Sequence, residues 1–485
     1  MKTIIVGGGV GGLITALYLS QQGEEVIIYE KENRLGGRLT FVEKDGYRID
    51  QGPTIVLLPE MITSILNEVD ISPKQLDFIQ IDPLYKMQYP DGTVFYKWSD
   101  EQKQLAEISR LYPGEETGFL RFLHEMNERF EKGKGAFLER SFLKKHTFFS
   151  PKSLKTLWEL KAYQTVQKQI QTYFSNKRLQ EAFTLQTLYI GGTPFQSPAL
   201  YSLVSFSEHQ HGIWYLKGGY AKLVDILEKK LKENQVTVHL NHKVEKVDTI
   251  GKECKGLWVN GKYEQADRIV LNGDLPIMKK LLNQKNEKKT YVASSGCLLL
   301  YIGVDHLYTD AEVHQFLMTD DLEQNMDDVF KHKKLSSKPS MYIFNPSKID
   351  STLAPVGKSV LYVLIPVPSG NEVDWNNVEP FINQCLEEME KRGFSLLREH
   401  TEWMEVRTPA DAKKDGLYQG GSFGIAPILS QSGVFRPQLK PFGFDNVYAV
   451  GASTHPGGGI PIVMQGAKIL ADHLKEERSK GDKKK

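Results

Sequence analysis

The first residues of this chain contain the pattern that most restricts its fold, "KTIIVGGGVGGLITALYLSQQGEEVIIYEK" at residues 2–31. A short apolar run ends at Val6, and glycines follow at positions 7, 9 and 12 before apolar residues at helical spacing. A second apolar run, Val26 to Tyr29, ends at Glu30. This order of strand, glycine loop, helix, strand and acid is typical of a βαβ unit that binds a dinucleotide.

Each residue of this pattern has a mechanical role in such a unit. Gly7, Gly9 and Gly12 permit the tight turn, the close approach of a pyrophosphate and the packing of helix on strand. Glu30 lies where an acceptor for the ribose hydroxyls belongs. The pattern leaves open whether the dinucleotide is NAD or FAD.

A glycine pair just after the second strand bears on that choice. Gly36 and Gly37 lie between Arg34 and Arg38. A second backbone turn flanked by guanidinium groups suits the phosphates of an extended flavin dinucleotide. The alternative is a surface loop with two solvated arginines. A further glycine turn, Asp50-Gln51-Gly52-Pro53, follows where the chain leaves this unit.

Length and charge exclude several classes of protein. With 485 residues the chain is expected to form two or more domains, and its net charge of +1 gives no reason to expect nucleic acid as a partner. Three scattered cysteines, without CxxC spacing or nearby histidines, argue for a reducing compartment and against a metal site. Glycines interrupt the apolar start, which argues against a signal peptide, and no apolar run is long enough to span a membrane.

The stretch "NVYAVGASTHPGGGIPIVMQG", residues 446–466, points to a narrower group. With the N-terminal unit, it resembles FAD-dependent amine-oxidase-like flavoproteins and, within them, the bacterial phytoene dehydrogenases. The resemblance runs over nearly the whole chain and is strongest to the 4,4'-diapophytoene (dehydrosqualene) desaturases, with "LQTLYIGG", "LLLYIGV" and "FRPQ" as further similar segments. It implies FAD as the cofactor.

The glycine-rich part of this stretch has a physical interpretation. Val447 to Val450 is expected to be a buried strand, and Pro461 to be the first residue of a helix that ends near Leu474. The turn between them would direct free N–H groups and the positive end of the helix dipole at its ligand. In the family this ligand is the pyrimidine edge of the flavin, where negative charge collects on hydride transfer. A flexible loop is the alternative.

The resemblance implies an α/β fold with a Rossmann-type FAD-binding domain, an inserted mixed-sheet substrate domain and a helical membrane-facing region. The expected boundaries are 1–75, 212–278 and 415–485 for the FAD domain, 76–110 and 279–414 for the substrate domain, and 111–211 for the helical region. The expected FAD contacts are Gly7, Gly9, Gly12, Glu30, Lys31, Gly36, Gly37, Arg38, Gly52, Pro53, Thr54, Val244, Asn272, Gly451, Gly459, Ile460 and Met464.

Residues 140–178 carry an uneven charge. They contain nine Lys or Arg residues and a single acid, Glu159, interleaved with aromatic residues. Basic and aromatic groups together suit the headgroup layer of an anionic membrane, and a carotenoid precursor is itself dissolved in the bilayer. We therefore expect a cytoplasmic protein, peripheral on the inner face of the cell membrane. A solvated helical face is the alternative.

The expected reaction is desaturation of a linear C30-type polyene, in which FAD takes a hydride and a neighbouring carbon loses a proton. Glu139 and Arg140 correspond to polar residues proposed to assist proton loss in related desaturases, and an ordinary surface pair is the alternative. Three other functions remain: oxidation of the terminal methyl of a C30 carotenoid, carotenoid isomerisation, and isoprenoid binding without flavin. "ASSG" at 293–296 and "GIWYLKGG" at 212–219 favour the terminal oxidase, while Thr454-His455-Pro456 favours the desaturases. The electron acceptor is not identified by the sequence.

Overall fold

The computed structural model describes residues 1–133, 135, 142, 150–282 and 290–482. Its strands, in chain order, are β1 (Lys2–Val6), β2 (Glu25–Tyr29), β3 (Phe41–Lys44), β4 (Tyr47–Asp50), β5 (Phe78–Ile81), β6 (Tyr85–Gln88), β7 (Val94–Lys97), β8 (Ile213–Leu216), β9 (Thr237–His239), β10 (Val244–Ile250), β11 (Glu253–Val259), β12 (Lys262–Gln265), β13 (Arg268–Asn272), β14 (Gly296–Val304), β15 (His314–Leu317), β16 (Met341–Phe344), β17 (Ser359–Val367), β18 (Thr401–Arg407) and β19 (Val447–Val450).

The α-helices of the described residues are α1 (Val10–Gln21), α2 (Pro59–Glu68), α3 (Glu101–Leu111), α4 (Glu116–Gly133), α5 (Pro151–Glu159), α6 (Val166–Ile170), α7 (Lys177–Ala182), α8 (Ser202–His211), α9 (Lys222–Glu233), α10 (Leu275–Leu281), α11 (Leu322–Asp327), α12 (Glu379–Lys391), α13 (Leu397–His400), α14 (Pro409–Lys414) and α15 (Ile460–Asp482). None of these helices is both long and apolar enough to cross a membrane.

The first large sheet is parallel and has the order β19-β13-β1-β2-β9. Its central strand, β1, is paired on both sides, so Ile4 lies between Ile27 and Ile269. Strands buried on both faces read as continuous apolar runs, which is why this sheet was recognisable from sequence. Because all five strands run in the same direction, their carboxyl ends form one edge, where α/β proteins of this kind bind ligands.

The second large sheet is mixed and has the order β18-β14-β17-β16-β15-β6-β7. Most of its pairs are antiparallel, and β15 runs parallel to β6. One face packs on α12, whose apolar side includes Phe381 and Met389, and the other face joins the core of the helical region. The mixed sheet expected from the apolar runs between 280 and 415 is confirmed. It also contains β6 and β7, which lie within the segment 76–110 that was expected in the same domain.

The C-terminal helix differs from its expected bounds. It begins at Ile460, so that Pro461 is its second residue, and it extends to Asp482 instead of ending near Leu474. The extension is held by contacts with the parallel-sheet domain, because Arg478 donates to the carbonyl oxygen of Gln22 and pairs with Glu24. Glu477 is in turn bonded to Lys440 and Tyr448.

Candidate flavin and substrate site

One cavity of about 1400 Å³ lies between the carboxyl edge of the parallel sheet and the inner face of the mixed sheet. From the mixed sheet, Leu299, Phe316 and Leu364 contribute to its wall. The helical region contributes a further set of apolar side chains: Phe130, Leu188, Leu200, Leu203 and Val204. The glycine-rich turns and Glu30 line its other end, so nearly all of the expected cofactor residues belong to this same space.

The first glycine loop is held by Asn272, at the end of β13. The Asn272 amide donates to the carbonyl oxygens of Gly7 at 2.8 Å and Gly9 at 3.0 Å. Gly7 has φ +100°, and a Cβ there would lie 2.3 Å from the Asn272 carbonyl oxygen. A Cβ on Gly12 would lie 2.5 Å from the Gly7 carbonyl oxygen. These glycines therefore allow strand, loop and helix to approach closely, and the N-terminus of α1 faces the cavity from Gly9.

Glu30 follows β2 and is oriented by the backbone. One carboxylate oxygen accepts the Gly8 N–H at 2.6 Å and the other accepts the Glu32 N–H at 2.9 Å. The side chain is buried yet lines the cavity, and each oxygen retains capacity for a further hydrogen bond. Lys31 also lines the cavity and pairs with Glu32 at 2.8 Å. Val244, at the start of β10, lines the same end.

The second glycine turn lies directly on the first. The Gly36 N–H donates to the Gly8 carbonyl oxygen at 2.8 Å, and a Cβ on Gly37 would lie 3.2 Å from the Gly9 Cα. Arg38 lines the cavity and forms an ion pair of 2.5 Å with the buried Asp274. Arg34 also lines the cavity, but its guanidinium lies over the Phe41 ring and donates to the Phe41 carbonyl oxygen. Of the two flanking arginines, the structure thus fixes Arg38 beside the turn.

Residues 52–54 connect the two sheets at the cavity. A Cβ on Gly52 would lie 1.9 Å from the Arg38 carbonyl oxygen, so only glycine fits there. Pro53 also lines the cavity. The Thr54 hydroxyl is bonded to the Tyr342 hydroxyl at 2.8 Å, and Tyr342 is bonded to His314 Nδ1 at 2.7 Å. Burial lowers the pKa of His314 to about 3, so its imidazole is neutral at physiological pH.

The C-terminal turn combines glycines in the left-handed region with a helix start. Gly451 has φ +119°, and Gly459 has φ +91°. Both line the cavity, as does Ile460, the first residue of α15. No acidic residue occupies the first turn of α15 to offset its dipole. This turn therefore presents a positive end to the cavity.

Two of the expected site residues do not line the cavity, and two others lie outside the residues that the structure describes. The side chain of Met464 is fully buried in the core beneath α15, and Gly12 packs against β13 behind the loop. Glu139 and Arg140 lie outside the described residues. Their part in the reaction stays a prediction.

Sequence reasoning missed three features of the site. Asp274, the partner of Arg38, is 236 residues away from it in the chain, and the bonding of Tyr342 to Thr54 spans a similar distance. Arg436 lines the cavity and donates to carbonyl oxygens of the C-terminal turn. Of these features, only Arg436 could have been suspected from the sequence, because it lies in the segment "FRPQ" that resembles the family.

Comparison with known proteins decides the family. The model of the family described as "Flavin containing amine oxidoreductase" matches residues 10–474. The chain belongs to this family. It is an FAD-dependent oxidoreductase, as the resemblance implied.

The chain is similar over nearly its whole length to two enzymes of carotenoid metabolism and to a solved oxidoreductase structure. It is 54% identical to a 4,4'-diapolycopen-4-al dehydrogenase of Metabacillus indicus, with 99% of both chains covered. It is 33% identical to a 4,4'-diapophytoene desaturase (4,4'-diaponeurosporene-forming) of Staphylococcus haemolyticus, with 99% of this chain and 100% of the relative covered. Among solved structures, an oxidoreductase from Methanosarcina mazei matches with a TM-score of 0.68 at 17% identity, covering 98% of this chain and 100% of that one. At this identity the structural match shows the fold alone.

The residues of the cavity fit FAD. The glycine turns at 7–9 and 36–37 leave the backbone bare where phosphates need close approach, and Glu30 is pre-oriented for the ribose hydroxyls. Arg38 lines the cavity beside the second glycine turn, held by Asp274, and contributes a positive charge for an anionic group. When bound, FAD supplies the hydride acceptor, and the chain supplies orientation and electrostatics.

Proposed function

We propose that the protein oxidises a linear C30-type polyene in carotenoid biosynthesis, removing hydrogen from the carbon chain so that a new double bond forms. The observation that supports this most is the continuity of the cavity. The space lined by the glycine turns continues, without a separating wall, into a space lined by leucine, phenylalanine and tyrosine. Its volume of about 1400 Å³ exceeds the roughly 300–1,000 Å³ of pockets for drug-sized ligands. A long hydrocarbon and a dinucleotide together account for that volume.

The apolar wall has a chemical function in this proposal. A hydrocarbon offers no group for hydrogen bonding, so only shape and apolar contact can hold it next to the cofactor. The side chains from α4, α8 and the mixed sheet exclude water from this part of the cavity. Tyr342 is held in one orientation by Thr54 and His314, so the wall near residues 52–54 is rigid. These residues bind and orient the polyene.

Oxidation at the end of a C30 polyene is a second candidate, favoured by one observation. The relative named 4,4'-diapolycopen-4-al dehydrogenase is 54% identical to this chain, whereas the named desaturases are 31–33% identical. The apolar cavity accommodates either substrate, because a conjugated C30 polyene with an oxidised end is still mostly hydrocarbon. The two candidates share the cofactor and differ in which carbon is oxidised.

Product analysis separates the two candidates. The protein is produced in cells that supply 4,4'-diapophytoene, in cells that supply a C40 precursor, and in cells that supply 4,4'-diapolycopene or its terminal aldehyde. Desaturation predicts coloured products that have lost pairs of hydrogens from the C30 precursor. An unchanged precursor together with consumption of the terminal aldehyde would refute desaturation in favour of the second candidate. Cells without the protein are the control for background conversion.

We also propose that the protein docks on an anionic membrane next to the cavity. Trp158 and Tyr163 are 70% and 53% exposed and stack on each other at 4.9 Å. Leu429 and Phe435 are exposed as well, at 53% and 49%. Val434 and Leu160 belong to one buried cluster, and each lies close in the chain to one of the two exposed pairs, so the pairs belong to one region of the surface.

The position and charge of this surface support a lipid partner. It adjoins Leu200, Tyr201 and Ser432, which line the cavity. Lys155 and Lys161 flank the aromatic pair. Lys155 forms a long ion pair of 4.0 Å with Glu159, which lipid phosphates can replace. A polyene dissolved in the bilayer would then enter the cavity without crossing water.

Vesicle sedimentation tests the docking surface. Trp158→Ser with Tyr163→Ser, and separately Lys155→Glu with Lys161→Glu, should reduce binding to anionic vesicles, since each cation near such a surface contributes about 1 kcal/mol. Added salt should weaken binding of the wild type. Trp258→Ser with Tyr263→Ser is the matched control, because that exposed aromatic pair lies on the β11–β12 hairpin. Equal sedimentation of all variants would contradict membrane docking at this surface.

A further inference from the structure

Arg436 is a buried cation beside the C-terminal turn. It is 4% exposed, it lines the cavity, and it follows the short helical turn at Gly433–Phe435. Its Nε donates to the Thr454 carbonyl oxygen at 3.3 Å, and its Nη2 donates to that of Ala452. Two of its bonds therefore go to the turn that precedes α15.

Within the described part of the chain, the charge of Arg436 has no partner of opposite sign at contact distance. Among the described residues no carboxylate lies within 4.0 Å of its guanidinium, whose third bond goes to the Gln431 carbonyl oxygen. Asp274, the acid that affects it from further away, is already paired with Arg38. Burial lowers the pKa of Arg436, but a guanidinium stays protonated in proteins. Within the described residues, a full positive charge is thus buried with carbonyl oxygens as its hydrogen-bond partners.

The positive N-terminal end of α15 faces the same cavity as Arg436. The N-terminus of α15 starts at Ile460, with no acid in its first turn. A Cβ on Gly457 would lie 3.9 Å from Arg436 Nε, so the guanidinium lies directly behind the turn. A buried cation is unfavourable unless something nearby compensates it, and here cation and dipole converge where a ligand gaining negative charge would be stabilised.

We propose that Arg436 is the fixed positive charge that stabilises the reduced state of the bound FAD. Transfer of a hydride, a proton with two electrons, to neutral FAD adds one negative charge, which the protein has to accommodate. Arg436 makes that charge less costly and so raises the reduction potential of the flavin. The proposal rests on the FAD-dependent function but not on the identity of the polyene.

Two substitutions separate charge from structure. Arg436→Gln removes the charge and keeps hydrogen-bonding capacity, whereas Arg436→Lys keeps the charge. We expect Arg436→Gln to weaken the binding of reduced FAD relative to oxidised FAD by about tenfold or more, seen as a lower midpoint potential. Arg436→Lys should stay close to the wild type. A wild-type potential in FAD-loaded Arg436→Gln, or an equal shift in both variants, would overturn the proposal.

A control variant at Arg392 and two further measurements complete the test of Arg436. Arg392 is equally buried and bonded to the Met318 carbonyl oxygen but lies outside the cavity, so Arg392→Gln should lower the melting temperature without changing the potential. If Arg436→Gln loses FAD on purification, titration of its apoprotein with oxidised and reduced FAD gives the same quantity by linkage. If it does not fold, Ser432→Asp introduces a carboxylate next to Tyr201, whose hydroxyl interacts with the guanidinium, and should lower the potential. An unchanged potential there would overturn the proposal.

Failure of the proposal about Arg436 can be told apart from failure of the proposed function. A wild-type protein that binds FAD but oxidises no C30 polyene contradicts the polyene substrate and leaves the measurement on Arg436 intact. A wild-type protein that binds no flavin in either oxidation state contradicts the FAD-dependent function, and the inference about Arg436 with it.

Discussion

At the scale of single residues, Glu30 is set in place before any ligand binds. Both of its carboxylate oxygens accept backbone N–H groups, from Gly8 and Glu32, so the side chain has little freedom left. Pre-orientation of this kind lowers the entropy cost of binding a ribose. The acid at the end of β2 therefore contributes to the loop and to the ligand at once.

Replacement of Glu30 tests this double role. Glu30→Ala should weaken FAD binding by about 1.5–3 kcal/mol, roughly ten- to a hundredfold in the dissociation constant. The measurement is titration of the apoprotein followed by flavin fluorescence. Glu25→Ala is the control, since Glu25 is exposed at the other end of the same strand. Equal affinity of the Glu30→Ala protein and the wild type would show that the adenosine half is bound elsewhere.

Asp50 gives a prediction about pH. Burial raises its pKa to about 6, although the N–H groups of Tyr220 at 2.6 Å and Ala221 at 3.0 Å favour its ionised form. The folded state therefore holds a proton that the unfolded chain releases above its ordinary pKa of 3.8. The stability due to this proton is fully present below pH 3.8 and is lost as the pH rises through about 6.

Asp50→Asn removes this titration. A shift of about two units corresponds to about 3 kcal/mol, which is the expected scale of the change in unfolding free energy from pH 4 to pH 7 in the wild type relative to the variant. Chemical denaturation at a series of pH values measures it. Parallel pH profiles of the two proteins would contradict the raised pKa of Asp50.

At the scale of elements, the turn before α15 distinguishes strain from ligand contact. Gly459 has φ +91°, and a Cβ there would meet only Ile462 at 4.0 Å. Gly458 has no left-handed φ, and a Cβ there would lie 3.7 Å from the Ala452 Cβ. The protein itself thus accommodates a methyl at 458, while a side chain at 459 is strained by the backbone alone.

This contrast yields a matched set of variants. Gly458→Ala should keep the melting temperature of the apoprotein and lower FAD affinity, because its methyl occupies space that the account assigns to the flavin. Gly459→Val should lose turnover and about 1–2 kcal/mol of stability through strain. Gly92→Val, on the β6–β7 hairpin with φ +84° and open space around it, is the control for strain without loss of flavin. Full flavin affinity in Gly458→Ala would remove the turn from the cofactor site.

Local sequence patterns were sufficient to predict some helices and strands but not the bounds of others. The βαβ unit, β19 and the start of α15 were predictable because their apolar runs and glycines act over a few residues. The predicted end of α15 was wrong. The apolar stripe stops near Leu474, but the Lys, Glu and Arg residues that follow have high helix propensity and continue the helix. Its last turns are held by Glu24 and Tyr448, which sequence spacing does not reveal.

At the scale of the whole molecule, the cavity is built by contacts between segments that are distant in the chain. β6 pairs with β15 more than 200 residues later, and Arg38 meets Asp274 across a similar distance. No periodicity within either segment encodes such a meeting, so the cavity and the position of Arg436 required the structure. The type of cofactor was predictable because its glycine turns are local.

In the proposed function, the flavin of this protein accepts hydrogen from a C30 polyene. The most direct measurement mixes FAD-loaded protein with vesicles carrying 4,4'-diapophytoene, or a C30 polyene with an aldehyde end, without oxygen. We expect the flavin absorbance to bleach with one of these substrates while the polyene is oxidised in equal amount. Bound FAD that stays oxidised with both substrates, in protein that is folded and bound to the vesicles, would contradict the claim.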